Sequence, residues 1–353
     1  MIRYLKAGVA VLSKPSEVAD RPIHIQVEPT DACNLDCSFC ARSKVIKKAR
    51  LMSLDEFKKI IDTIQPKKVT LSGYGEPLLN PALFDMIAYA KARHASVNTT
   101  SNLTRLDEAK AEKLVASKLN LINVSIDAAS PEIYKLGRGE DFFAQILDGI
   151  RLLQQVKVRL KARKPFVRTS FLIHKGNIHQ VADFVQLAHN LGADVAFYQI
   201  LALTALYERK DRLIAGIPYE QVQGAMKEGL ARARQLRVTT NLTQLLTELP
   251  EWWEKYDTSD THGRQCIMPW FSSYITADGS LRPCCRFAPV RIDMGGSMFE
   301  KSFDEIWNSE QYRKFREAHK EGGRPTRVCR ECVPEGISDI ARRVQFSPGF
   351  FIE

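Results

Sequence analysis

The stretch PIHIQVEPTDACNLDCSFC (22–40) runs from a strand-like segment straight into three closely spaced cysteines, Cys33, Cys37 and Cys40. PIHIQVEP (22–29) reads as a strand, short and rich in Ile and Val. Cysteines spaced four and three apart can line one buried helix face as small hydrophobes. Here Asn34, Asp36 and Ser38 interleave them and EPTDA precedes them, which is the composition of a loop.

Outward from this stretch, strands and helices alternate. Strands are expected at 68–73, 95–100, 121–127, 166–173 and 195–200. Helices are expected at 53–64, 81–93, 105–117, 141–157 and 178–192, where apolar residues recur at three- and four-residue spacing. The alternation implies an α/β fold with parallel pairing and right-handed crossovers. Six such units fit an open doubly wound sheet or an incomplete barrel. Both place their chemistry at the C-terminal strand ends, where the three cysteines lie. Residues 206–262 read as a helical linker or lid, and 263–353 as a second, smaller domain holding the other five cysteines.

The chain has 353 residues, 44% apolar and 26% charged, the composition of an ordinary soluble protein. It holds no apolar run long enough to cross a bilayer, which needs about 18 residues. The patch AGVAVL near the start is too short for a signal-peptide core, so a cytoplasmic location is expected, with no membrane partner. The net charge of +10 is read as a solvated basic surface suited to acidic protein partners or an anionic substrate. No nucleic-acid motif accompanies it, and no nucleic-acid partner is expected.

Thiolates are the usual ligands of iron–sulfur clusters. Three of them leave one iron of a four-iron cubane open to a small molecule, as an open zinc position does in catalytic zinc sites. The CxxxCxxC after a first strand resembles the radical S-adenosylmethionine (SAM) enzymes, with Phe39 at the family's aromatic position. The resemblance implies a partial (β/α)6 TIM barrel over 21–205 behind an N-terminal extension (1–20). It also implies a 4Fe–4S cluster whose open iron chelates SAM and yields a 5′-deoxyadenosyl radical. SGYGEP (72–77) resembles the family's GGEP motif, with Tyr74 in place of a glycine. Gly73 and Gly75 would let backbone approach a ligand, and Glu76 would accept from an ammonium. Asn102 in TTSNLT (99–104) suits ribose hydroxyls or turn chemistry. By resemblance Ser125 would contact ribose and Arg138 the cofactor carboxylate. Gln199 would face adenine or substrate, or simply end its strand.

In the second domain SSYIT and SLRPC read as a β-hairpin about the turn ADG, with a single helix at 302–320 before a CxxC. Cys266, Cys284, Cys329 and Cys332 make a complete four-ligand set, and zinc would serve as well as a cluster on chemistry alone. Their spacing resembles the SPASM/twitch domains, a small C-terminal α+β unit. That implies one auxiliary 4Fe–4S cluster. Cys285 is left as a spare thiol, a hydrogen-atom donor, or a replacement for Cys284.

The first expectation is an oxidoreductase that dehydrogenates a small polar molecule or a peptide side chain. It would be assisted by the auxiliary cluster and reduced by a flavodoxin or ferredoxin. An epimerase using Cys285 is the redox-neutral alternative. Peptide maturation is a third reading, although the first 20 residues are too few for a leader-binding winged helix. A zinc- or cluster-bearing binding module is the non-enzymatic one.

Overall fold

The computed structural model describes residues 2–201, 217–257, 266–288, 294–330 and 332. Six strands run parallel in chain order: β1 His24–Val27, β2 Lys68–Leu71, β3 Ser96–Ser101, β4 Leu121–Ser125, β5 Phe166–Ile173 and β6 Val195–Ile200. Helices Leu54–Ile64, Leu83–Ala92, Glu108–Ala116, Phe143–Arg159 and Val181–Asn190 connect them. This is the partial barrel, and it extends further than expected. β7 (Ser272–Ile275) pairs in parallel with the free edge of β1, and β8 (Leu281–Arg282) returns antiparallel to β7. The hairpin expected as part of a separate domain thus continues the barrel sheet, in the order β6-β5-β4-β3-β2-β1-β7-β8.

Each connecting helix forms for local reasons. In Leu54–Ile64 the Ser53 hydroxyl accepts from the Glu56 N–H (3.2 Å), and Glu56 accepts in return from the Ser53 N–H (2.8 Å). Phe57, Ile60, Ile61 and Ile64 recur at helical spacing and are fully buried, worth roughly 1.5–3 kcal/mol each. The strands alternate. Ile25, Val27, Val69, Leu71, Val97 and Ile122 belong to the apolar core with these helices. The opposite face is polar and hydrogen-bonded across the strands. His24 links Thr70 (3.1 Å) and Ser272 (2.9 Å), and Asn123 donates to Ser170 (3.2 Å) while accepting from Arg168 (2.7 Å). Closed (β/α)8 barrels fill this face with branched apolar side chains.

Several elements differ from expectation. A short helix, Pro131–Arg138, follows β4 where only a strand segment was read. Ser130 caps it, Pro131 starts it and Gly139 ends it in the left-handed region, so its signals were present but brief. The helix expected over 302–320 is two, Phe303–Trp307 and Glu310–Lys320. Asn308 breaks it by exchanging hydrogen bonds with the Val18 backbone (both 2.9 Å), and Ser309 caps the second helix. The stretch read as a linker or lid forms, over its described part, helices Tyr219–Leu236 and Leu242–Asp257. The first packs on helix Val181–Asn190 and the second on β6, and between them the Asn241 side chain bonds the Tyr198 N–H and carbonyl (both 2.8 Å). The boundaries expected at 205/206 and 262/263 lie outside the described residues.

β1 is therefore paired on both sides, and Glu28 closes its end. Its N–H continues the ladder to the Ile275 carbonyl (2.8 Å). One carboxylate oxygen accepts from the Tyr74 N–H (2.5 Å), beyond β2, and the other from the Ala277 N–H (3.2 Å), beyond β7. The residue is only 2% exposed, and burial pushes its carboxyl up to about 7 against the pull of these two donors. The fold thus penalises the ionised form. Glu28's contribution to stability is complete below the ordinary carboxylate value and is lost as pH rises through about 7. Relative to Glu28→Gln, the wild type should lose up to about 3 kcal/mol across that window. Urea midpoints of both proteins, taken from about pH 5 to about pH 8, check this. Parallel curves would show that Glu28 titrates as an ordinary carboxylate.

Candidate active site

A cavity of about 380 Å³ opens at the C-terminal strand ends, and Cys33, Cys37 and Cys40 line it. Residues 33–40 form no helix, in keeping with the loop reading. Cys40 N–H donates to the Cys37 carbonyl (2.9 Å) in a turn. Asn34 donates to the Thr104 hydroxyl (2.7 Å), which ties the loop to the end of β3. The Ser38 N–H and hydroxyl both donate to the Gly137 carbonyl (2.9 Å each), which ties it to helix Pro131–Arg138.

Phe39, Gly73, Gly75, Glu76, Asn102, Ser125 and Arg138 line the same cavity. Several do something more local than expected. A Cβ at Gly75 would stand 2.2 Å from the Thr30 carbonyl, and one at Gly73 would stand 2.2 Å from a Glu28 oxygen. The close approach these glycines allow is thus to the protein's own cysteine-bearing segment. Glu76 is 2% exposed and already accepts from the Leu78 N–H (3.0 Å), the Ser101 hydroxyl (2.6 Å) and the Asn102 N–H (2.7 Å). Burial shifts its carboxyl upward despite these donors. Asn102 accepts from the Thr104 N–H (3.0 Å) and hydroxyl (2.8 Å), so its side-chain oxygen serves the turn.

Arg138 is buried, pairs with Asp127 and reaches Cys37 Sγ (3.5 Å), with its guanidinium 5.3 Å above the Phe39 ring. Its Nε has no partner among the described residues, an orphaned donor beside the three thiols. Asp127 takes a positive φ of 62° while accepting from the Leu172 N–H (2.7 Å). Backbone of this kind clusters at functional sites. Gln199 is the exception among the expected residues. It is exposed and does not line the cavity, whereas Leu201, two residues further along the strand direction, does.

A second cavity gathers Cys266, Cys284, Cys329 and Cys332 from three separate segments. Cys285 is exposed and lines the first cavity instead. The 3-10 turn Cys285–Phe287, entered through an extended Cys284, directs the adjacent thiols to different cavities. Burial pushes the Cys40 thiol up to about 11 and the Cys266 thiol up to about 12, and raises those of Cys33, Cys284 and Cys329. Buried thiols like these become thiolates when a cationic centre takes their protons' place, so both donor sets fit iron–sulfur clusters. Among the described residues no group of three Cys, His, Asp or Glu converges on a point as one zinc ion requires.

Reading the sequence overlooked Glu28, Asp127 and Arg286, the last of which lines both cavities. For Glu28 and Asp127 the available signal was a carboxylate directly after a strand. Arg286 carried none beyond following Cys284 and Cys285.

Among the described residues no helix is long and apolar enough to cross a membrane. The Radical SAM superfamily profile matches residues 27–198, and the SPASM iron-sulfur cluster-binding domain matches 266–333. The chain is 27% identical over 320 residues to the AdoMet-dependent heme synthase of Methanosarcina barkeri, covering 87% of this chain and 88% of that one. Its fold is similar to Streptococcus suis SuiB bound to precursor peptide SuiA (TM-score 0.65, 17% identity, 87% and 69% covered). It is also similar to anSMEcpe with bound AdoMet (TM-score 0.63, 16% identity, 88% of each chain). A strand-end loop of three thiols and a separate pocket of four accord with these matches: the chain belongs to the radical SAM superfamily, with a C-terminal SPASM iron–sulfur domain, and takes SAM and 4Fe–4S clusters as cofactors.

Proposed function

We propose that this enzyme oxidises its substrate by two electrons, removing a hydrogen atom and then an electron and a proton. Bound SAM and its cluster supply the hydrogen-abstracting 5′-deoxyadenosyl radical. Cys33, Cys37 and Cys40 would hold that cluster, leaving one iron for SAM. Cys266, Cys284, Cys329 and Cys332 would hold the auxiliary cluster and leave no iron open. The observation that carries the reading is that the two thiol cavities adjoin through a shared wall residue, Arg286. An auxiliary cluster held by the four thiols would stand next to substrate in the first cavity and could accept its electron.

Within the first cavity Asp127 holds Arg138 beside Cys37, and Phe39 lies under the guanidinium. The orphaned Arg138 Nε is the donor available to a carboxylate. Substrate is a small polar molecule or a peptide. The precursor peptide bound by SuiB supports the peptide, and the polar inner sheet face suits either. A flavodoxin- or ferredoxin-type acidic donor would dock on the basic surface in the cytoplasm.

A second, redox-neutral reading is favoured by one observation, the placement of the Cys285 thiol in the first cavity. There it could return a hydrogen atom to a substrate carbon, as an epimerase requires.

Reconstituted anaerobically, the wild type should bind about eight irons and release 5′-deoxyadenosine under dithionite. Cys37→Ala should lose about half the iron and all 5′-deoxyadenosine. Cleavage that survives it would refute the ligand assignment. Cys284→Ala should also lose about half the iron, yet still cleave SAM.

Cys285→Ala should keep all the iron. Product formation that persists in this variant supports oxidation. Product lost while 5′-deoxyadenosine continues to form, with solvent deuterium entering the wild-type product, supports the epimerase.

A further inference from the structure

Arg286 stands where the two cavities meet. Among the described residues it alone lines both. It belongs to the turn Cys285–Phe287 and directly follows Cys284 and Cys285, one thiol of each cavity. Its guanidinium hydrogen-bonds the Cys332 sulfur and is within electrostatic reach of Cys284 and Cys285. Phe287 and Phe315 pack edge-to-face beside it (5.6 Å) and keep that side of the pocket apolar. Arg324 also lines the second cavity, with Nη1 3.5 Å from the Cys329 carbonyl, but it does not reach the first.

A guanidinium stays protonated at any working pH, and its charge is felt strongly where water is excluded. Reducing a cluster adds one negative charge. A fixed cation on one of its thiolates stabilises the reduced form and raises the potential, as hydrogen bonds to cluster sulfurs do.

We propose that Arg286 is a positioning residue that holds the auxiliary cluster's reduction potential high enough to accept an electron from a substrate radical in the adjoining cavity. The inference rests on the two-cluster reading above. In the step it serves, the substrate C–H bond has already been broken by hydrogen abstraction. The carbon radical would then give one electron to the auxiliary cluster, while the O–H or N–H bond on its attached heteroatom breaks, the proton leaves to solvent and a second bond forms between that carbon and the oxygen or nitrogen. The auxiliary cluster is the oxidant, and it is reduced by one electron.

The test is a potentiometric titration, followed by electron paramagnetic resonance, of anaerobically reconstituted wild type, Arg286→Lys and Arg286→Met. Iron is counted in each. Arg286→Met should move the auxiliary midpoint to lower potential, and move it further than the midpoint of the three-cysteine cluster. Arg286→Lys, which keeps the charge, should stay close to wild type. An auxiliary midpoint unmoved in Arg286→Met overturns the inference and leaves the two-cluster reading intact. Equal shifts in Lys and Met also overturn it, because packing rather than charge would be responsible. A wild type that binds only about four irons sinks both. If Arg286→Met fails to load the second cluster, Arg286→Lys decides: loading at wild-type potential supports the charge, and failure to load refutes it.

Discussion

β1 is hydrogen-bonded on both edges, and the rest of the molecule is arranged by that constraint. Four residues long, it carries β2 on one side and β7 on the other, each in parallel register. The chain then leaves the sheet at Glu28 and enters the cysteine loop. Whatever follows β2 and whatever follows β7 must therefore emerge beside that loop. After β2 comes the Gly73–Gly75 turn, which presses on Thr30 and Ala32 without room for a Cβ. After β7 comes the hairpin that delivers Cys284 and Cys285. The Glu28 carboxylate accepts from both neighbours at once and fixes their separation.

The second domain is held from the N-terminal side as well. Arg316 is fully buried, with its guanidinium 4.3 Å from the Trp307 ring. It donates to the backbone carbonyls of Ser16 (3.1 Å) and Pro269 (3.2 Å). Burial lowers its affinity for the proton, to about 10, still far above neutrality, so the cation persists. Trp270 donates to the Pro15 carbonyl (2.8 Å). Residues 15–20 thus strap the start of the chain onto the helices preceding Cys329. The auxiliary pocket rests on a braced framework, although its four cysteines come from distant points in the chain.

The polar inner face of the sheet suits the chemistry proposed. A barrel packed with branched aliphatics would leave no space for substrate between the strand ends and the auxiliary hairpin. Here His24 bonds Thr70 and Ser272, and Asn123 bonds Ser170, across the strands, while Ser96 Oγ and Asn98 Oδ1 have no partner among the described residues. Their short side chains leave the C-terminal mouth open, where the loops after β1, β2 and β3 meet.

Much of this was legible in the residue order, because the signals are local. Alternation of strand and helix, the CxxxCxxC loop and the four outlying cysteines depend on periodicity and spacing within a few residues. Of the residues read at strand ends, Gly73, Glu76, Ser125 and Arg138 all border one cavity. Gln199 does not border it and is exposed, in keeping with the plain strand-end reading. The break at Asn308 was hidden because its cause, Val18, lies far away in the chain.

Residue order alone was enough for the six barrel strands, the helices joining them and the two groups of cysteines, since helix period, strand alternation and cysteine spacing are properties of neighbouring residues. The folded chain was needed to show that the auxiliary hairpin continues the barrel sheet. It alone decided that Cys284 and Cys285 serve different cavities and that Arg286 stands between them. Those outcomes turn on the direction a side chain takes from a backbone placed by pairing with a strand some 250 residues earlier, between Ser272 and His24.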